Sequence, residues 1–203
     1  NWRGWDGDMA RPPWRQRIRE YSEVTDLGPI ARRYFVIGAF DGALTILGII
    51  VGAAASGAGD AERGIVLTAS VSAAIALAVS SAVGAFEAER VEKKLDISSL
   101  ERAMLTRLSE EHKGAFRFAA YTSAFVHGIA PLVAALPPVV PFFLMPFREA
   151  VPVALVVTLA FLFAMGAYLG AIIRERIVYT GFRFIAAGTA TAVVLWLLHG
   201  GLP

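Results

Sequence analysis

Five stretches of this chain are long, apolar and nearly free of charge, and they decide what it can fold into. They fall at about 33–55, 64–87, 116–136, 150–173 and 182–199. A bilayer's hydrocarbon core is about 30 Å thick and a helix rises about 1.5 Å per residue, so about 20 apolar residues cross it. Backbone N–H and C=O groups find no water there, so each stretch has to be a helix. Composition agrees: 56% of the residues are hydrophobic, against roughly 45–50% apolar residues in a soluble domain. The predicted fold class is all-α, a polytopic membrane protein with five transmembrane helices and short cytoplasmic helices between spans two and three.

Basic residues set the orientation. Residues 1–33 hold seven arginines, the segment between spans two and three holds seven more cations from Arg90 to Arg117, and Arg174, Arg176 and Arg183 lie at the junction of spans four and five. Seventeen of the nineteen therefore share one side, with Arg63 and Arg148 opposite. The positive-inside rule places the N-terminus and residues 88–115 in the cytoplasm and the C-terminus outside. The expected membrane is the cytoplasmic membrane of a prokaryote. Residues 1–32 are polar and charged, unlike a cleavable signal peptide.

Four regions follow: a cytoplasmic amphipathic segment at 1–28, spans one and two at 29–87, a short cytoplasmic helical module at 88–115, and spans three to five at 116–203. In the first, Trp14, Ile18 and Tyr21 recur at helical spacing beside Arg15, Arg17 and Arg19, the pattern of a basic helix on a membrane surface; a solvated basic tail fits the same residues. In the third, no Gly or Pro interrupts residues 85–95, so span two is expected to run on into the cytoplasm. Ser98-Ser-Leu-Glu101 then reads as a capping box that opens a separate helix.

Ionisable groups inside a span are costly and mark function by default. Asp41 lies 8 residues inside the inner end of span one, about 12 Å deep, with Thr45 a turn further on. Ser80 and Ser81 reach a similar depth on span two. An acid and hydroxyls at one level are the groups that replace a cation's hydration shell; simple hydrogen bonding of Asp41 is the alternative. His127, four residues before Pro131, reads equally as a ligand or as a histidine bonded to a neighbouring helix. Gly38-x-x-x-Gly42, Gly48-x-x-x-Gly52 and Gly166-x-x-x-Gly170 favour close helix packing, which puts Asp41 on a packed helix. Glu89, Glu92 and Asp96 form a stripe beyond span two, with Glu87 and Glu101 nearby. These acids read either as a cation-gathering mouth or as a salt-bridged surface with pairs such as Glu89–Lys93.

Cysteine is absent, so thiolate sites and disulfides are excluded. No HExxH, phosphate loop or Glu-x-x-His pair in the spans points to catalysis, and the expectation is that the chain is not an enzyme.

These residues carry a resemblance. Phe40-Asp-Gly-Ala-Leu-Thr-Ile-Leu-Gly-Ile-Ile-Val-Gly52 resembles the first-span signature of the vacuolar iron transporter family. Ser80-Ser-Ala-Val-Gly84, Ser123-Ala-Phe-Val-His-Gly128-Ile-Ala-Pro131 and Gly166-Ala-Tyr-Leu-Gly170 are similar to its second, third and fourth spans. The resemblance covers nearly all of residues 34–200 and is to a short prokaryotic-type variant with a reduced cytoplasmic module. It implies a homodimer that exports Fe²⁺ or Mn²⁺ from the cytosol against protons, with Asp41 on the ion path. It implies no permanently bound cofactor; its partners are divalent cations, protons and the bilayer, with no nucleic acid. Ser81 stands where characterised members carry a methionine. Expected metal-handling residues are thus Asp41 in the membrane and Glu87, Glu89, Glu92 and Glu101 at the mouth. The rival reading is a non-transporting membrane scaffold or regulatory subunit that keeps the fold.

With the basic residues on one side, a reporter fused after Pro203 should be active only outside the cytoplasm. Activity only inside would overturn the five-span topology.

Overall fold

The computed structural model describes residues 27–107 and 110–200, the side chains of 110–113, 199 and 200 excepted. The amphipathic segment expected at Trp14–Tyr21 lies outside the described residues. Helix α1 spans Leu27–Ala55, α2 Arg63–Met104, α3 Glu110–Val139, the short α4 Pro141–Leu144, α5 Phe147–Ile172 and α6 Ile177–Gly200. Among the described residues there is no strand, and five helices are long and apolar enough to cross a membrane. The chain is an all-α integral membrane protein.

Two boundaries differ from expectation. Helix α2 does not stop for the Ser98–Glu101 box but continues unbroken to Met104. Ser99 Oγ turns back to donate to the Asp96 carbonyl at 2.8 Å, the mid-helix habit of a serine rather than a cap. Glu, Lys, Leu, Arg and Ala are good helix formers and no Gly or Pro intervenes, so nothing local stops the helix. About 17 residues of α2, or about 25 Å, therefore project beyond the expected inner end of span two. Helix α6 also starts earlier, at Ile177, leaving Arg183 inside it.

Helix α1 packs against all four other spans, most extensively against α3, while α2 pairs with α3 and α5 with α6. Its approach to α3 is backbone on backbone. A Cβ on Gly38 would sit 2.9 Å from the His127 carbonyl oxygen, and one on Gly42 would sit 2.6 Å from Pro131 Cα. Pro131 lacks the N–H that would bond the His127 carbonyl within α3, and that carbonyl lies against Gly38. Gly166 and Gly170 do the same for α5 on α6, where a Cβ would meet Thr180 O at 2.7 Å and Thr180 Oγ1 at 3.0 Å. The small-residue spacings thus serve contacts within the chain.

Ala39, Ala43, Ala130, Ala134 and Leu162 fill the middle of the bundle. Ile46, Ile50, Val66, Phe142 and Phe147 fill the end away from the cations. At that end Asp60 Oδ1 accepts the Phe147 N–H at 2.7 Å, tying the first loop to the start of α5. Much of the outward surface is large and apolar, including Ile75, Val79, Phe125, Val156 and Trp196, as a bilayer-facing surface has to be.

Gly42→Ala should destabilise the bundle by about 1–3 kcal/mol, because its methyl meets fixed backbone. Gly28→Ala, at the exposed start of α1 with nothing within 4 Å of its Cβ, should change stability by less than about 1 kcal/mol. Thermal unfolding of both variants in detergent checks the difference.

Candidate ion path

The glycines that hold α1 on α3 dictate where Asp41 points. Gly38 and Gly42 are buried, and Asp41 between them is exposed on the surface of the single chain. The helix is packed as expected, but the carboxylate is turned away from the packing.

Its level follows from the same contacts. Residues 38–42 of α1 lie against 127–131 of α3, and Gly128 of α3 lies against Ala78 and Ala82 of α2. That interval brackets Ser80 and Ser81, so the acid and the hydroxyls share one level, as the sequence predicts. Ser80 is exposed, Ser81 half-buried, and Thr45 half-buried one turn beyond Asp41.

His127 has a structural role in this arrangement. Its Nδ1 is 2.7 Å from the Tyr34 carbonyl oxygen, which only accepts, so Nδ1 carries the hydrogen and donates it. The Tyr34 and His127 rings lie 5.2 Å apart, and the Arg33 guanidinium lies 5.2 Å from the Tyr34 ring centroid.

The acids beyond span two do not form one open stripe. Glu89 is 1% exposed, among the most buried side chains of the fold, which corrects the expectation of an exposed group. Helical spacing places it with Ala78 and Ala85 on the face of α2 that turns into the bundle. Its Oε1 lies 3.7 Å from the exposed Arg33 Nη2, the Tyr34 phenol faces the same carboxylate, and its Oε2 has no hydrogen-bond partner among the described residues. Lys93, expected to pair with Glu89, is bonded to Asp96 at 3.6 Å, and Glu87 is bonded to Arg90 at 3.3 Å. Glu92 is exposed, and Glu101 is half-buried and engaged by a neighbour. Among the described residues no three His, Asp or Glu side chains group closely enough to hold a metal ion.

Sequence reasoning missed Arg33, Tyr34 and Ser123 as members of this region. Ser123 Oγ is fully buried and, like Glu89 Oε2, has no hydrogen-bond partner among the described residues. Its spacing of four residues before His127, on the face α3 turns inward, was the available signal.

Five spans, with glycines at the close α1–α3, α2–α3 and α5–α6 crossings, define a polytopic helical membrane protein. The VIT family profile matches residues 32–113 and 96–199, and the chain belongs to that family of membrane metal-ion transporters. It is 30% identical over 177 residues to an uncharacterised protein of Methanocaldococcus jannaschii, a match covering 85% of this chain and 90% of that one.

The Arg33–Glu89 contact gives a direct prediction. Arg33→Gln leaves a buried carboxylate without its cation and should cost about 1–3 kcal/mol, whereas Arg32→Gln, which makes no ion pair among the described residues, should cost little. Adding Glu89→Gln to Arg33→Gln should restore most of the loss. Unfolding midpoints of the singles and the double variant measure the coupling.

Proposed function

We propose that the chain exports a divalent cation, Fe²⁺ or Mn²⁺, from the cytosol in exchange for protons, as a homodimer with Asp41 at the junction of the two copies. The observation that carries this reading is the exposure of Asp41 at mid-span on a single chain. A bare carboxylate facing lipid costs several kcal/mol, so that surface calls for a protein partner or a water-filled path. A second copy supplies both a cover and a second Asp41.

The outward face of α2 supports the same arrangement. Gly64, Thr68, Ser72, Ala76, Ser80, Gly84 and Ala88 recur every four residues, and all are exposed in the single chain. Small side chains at that spacing let two helices approach closely, and Ser80 places a hydroxyl of this face at the level of Asp41. Oxygen ligands suit Mn²⁺ and are accepted by Fe²⁺. In this reading the exposed Glu87 and Glu92, with the half-buried Glu101, raise the local cation concentration at the mouth, an effect that salt screens. Glu89, being buried, does not share in it.

The dispersal of acids within one chain favours a second reading, the non-transporting scaffold, in which Asp41 carries no ion. The two diverge in one experiment. Metal uptake into proteoliposomes under an imposed pH gradient should be robust in the wild type. It should fall at least tenfold in Asp41→Asn, with partial activity in Asp41→Glu, while folding of Asp41→Asn is unchanged or improved because a costly charge is gone. Wild-type flux that persists in Asp41→Asn removes the proposed site; no flux of any divalent ion in the wild type returns the scaffold.

A further inference from the structure

A cavity of about 320 Å³ opens between the projecting part of α2 and the start of α3, at the basic end of the bundle. Four cations line it, Arg90, Lys93 and Lys94 from α2 and Arg117 from α3, and among the described residues no carboxylate is in its wall. Its lining is aromatic: the Phe86 and Tyr121 rings lie tilted at 38° with centroids 5.1 Å apart, and Lys93 Nζ lies 5.9 Å from the centre of the Phe116 ring. Arg90 and Lys93 are partly neutralised by Glu87 and Asp96 outside the wall. Lys94 and Arg117 make no ion pair among the described residues, so with respect to those residues the cavity holds two positive charges without a partner. A basic surface that served only to orient the chain in the membrane would need no cavity and no aromatic lining.

We propose that this cavity binds the phosphate headgroup of an anionic phospholipid from the leaflet at the basic end. Depth is the first argument. Taking the inner end of span two at residue 87, Arg90 lies about 5 Å and Lys94 about 10 Å beyond it. The polar headgroup layer on each side of the hydrocarbon core is about 5–8 Å thick, so Arg90 stands within it and Lys94 just beyond it, near enough for its long side chain to reach back. Shape is the second argument. On the membrane side the aromatic lining continues into exposed apolar side chains, Val83 and Val79 on α2 and Phe125 on α3. That surface suits an acyl chain and offers nothing to a soluble anion. Basic cavities between membrane helices on the positively charged side take acidic headgroups for these electrostatic reasons. The site is separate from Asp41, and the inference does not depend on transport.

The test uses the full-length protein in detergent, with retained lipid counted by native mass spectrometry and unfolding followed in parallel. The probes are phosphatidylglycerol, phosphatidylcholine and inorganic phosphate. The wild type should retain phosphatidylglycerol at least tenfold more tightly than phosphatidylcholine. Removing two cations by Lys94→Gln with Arg117→Gln should weaken that binding about thirtyfold. The control pair Arg176→Gln with Arg183→Gln, which removes the same charge elsewhere at this end, should leave it unchanged. The charge-preserving pair Lys94→Arg with Arg117→Lys should retain binding, which keeps the test decisive should the glutamine pair fold poorly. Equal loss in the control pair overturns the site in favour of diffuse surface charge. Equal retention of the two lipids overturns it as well, and displacement of phosphatidylglycerol by millimolar inorganic phosphate makes the ligand a soluble anion instead.

Discussion

The approach of α1 to α3 at Gly38 and Gly42 sets the geometry of the whole bundle. With a Cβ at either position clashing with His127 or Pro131 backbone, these helices lie as close as two backbones can. At 3.6 residues per turn, Asp41 is turned about 60° from Gly38 and about 100° from Gly42. It cannot face α3 while the glycines do. The same contact therefore buries the small residues and pushes the one acid of span one to the rim, where it meets whatever covers that side of the bundle.

Asp41 and Glu89 are thus placed the opposite way from a simple reading of their neighbourhoods. Asp41 stands amid glycine and apolar residues yet is exposed; Glu89 stands amid charges yet is 1% exposed. Periodicity explains both. Glu89 continues the line of Ala78 and Ala85 on the inward face of α2, and it tolerates burial because α1 begins its crossing beside it with Arg33 and Tyr34. The guanidinium remains largely in water, so only one charge bears the full cost of desolvation. Glu87, two residues earlier, falls on the outward face and bonds its own neighbour Arg90.

What the sequence makes legible divides along the same line. The five spans could be read from hydropathy because the bilayer imposes one length and one composition on each. The common level of Asp41 and Ser80 followed from counting residues from the inner ends, a rise that packing does not alter. The length of α2 was partly legible, since the absence of Gly and Pro was visible, but Ser98-x-x-Glu101 suits the interior of a helix as well as its start. Side-chain direction was the least legible. Whether Asp41 or Glu89 turns inward depends on which face of each helix meets a neighbour. Where several faces carry small residues, as on α1 and α2, the sequence offers more than one. The Tyr34 carbonyl that holds His127 was invisible for a related reason, being backbone on a helix 93 residues away in the chain.

Helix α1 carries Arg33, Tyr34 and Asp41 on a single rod, with Arg33 and Asp41 about 12 Å apart along its axis. Its glycine contacts with α3 leave no slack for sliding, because interlocked backbones have discrete rather than continuous arrangements. The His127–Tyr34 hydrogen bond adds a second tie between the same two helices. Gly128 makes the same kind of close approach to α2, where a Cβ would meet Ala82 Cβ at 2.9 Å and the Ala78 carbonyl oxygen at 3.1 Å, so α1 and α2 are both interlocked with α3. The polar tie between α1 and α2 is looser: Glu89 has a 3.7 Å ion pair with one partner in water, and a carboxylate oxygen with no protein partner among the described residues. The common level of Asp41 and Ser80 is therefore held by close packing through α3 rather than by the ion pair at the basic end.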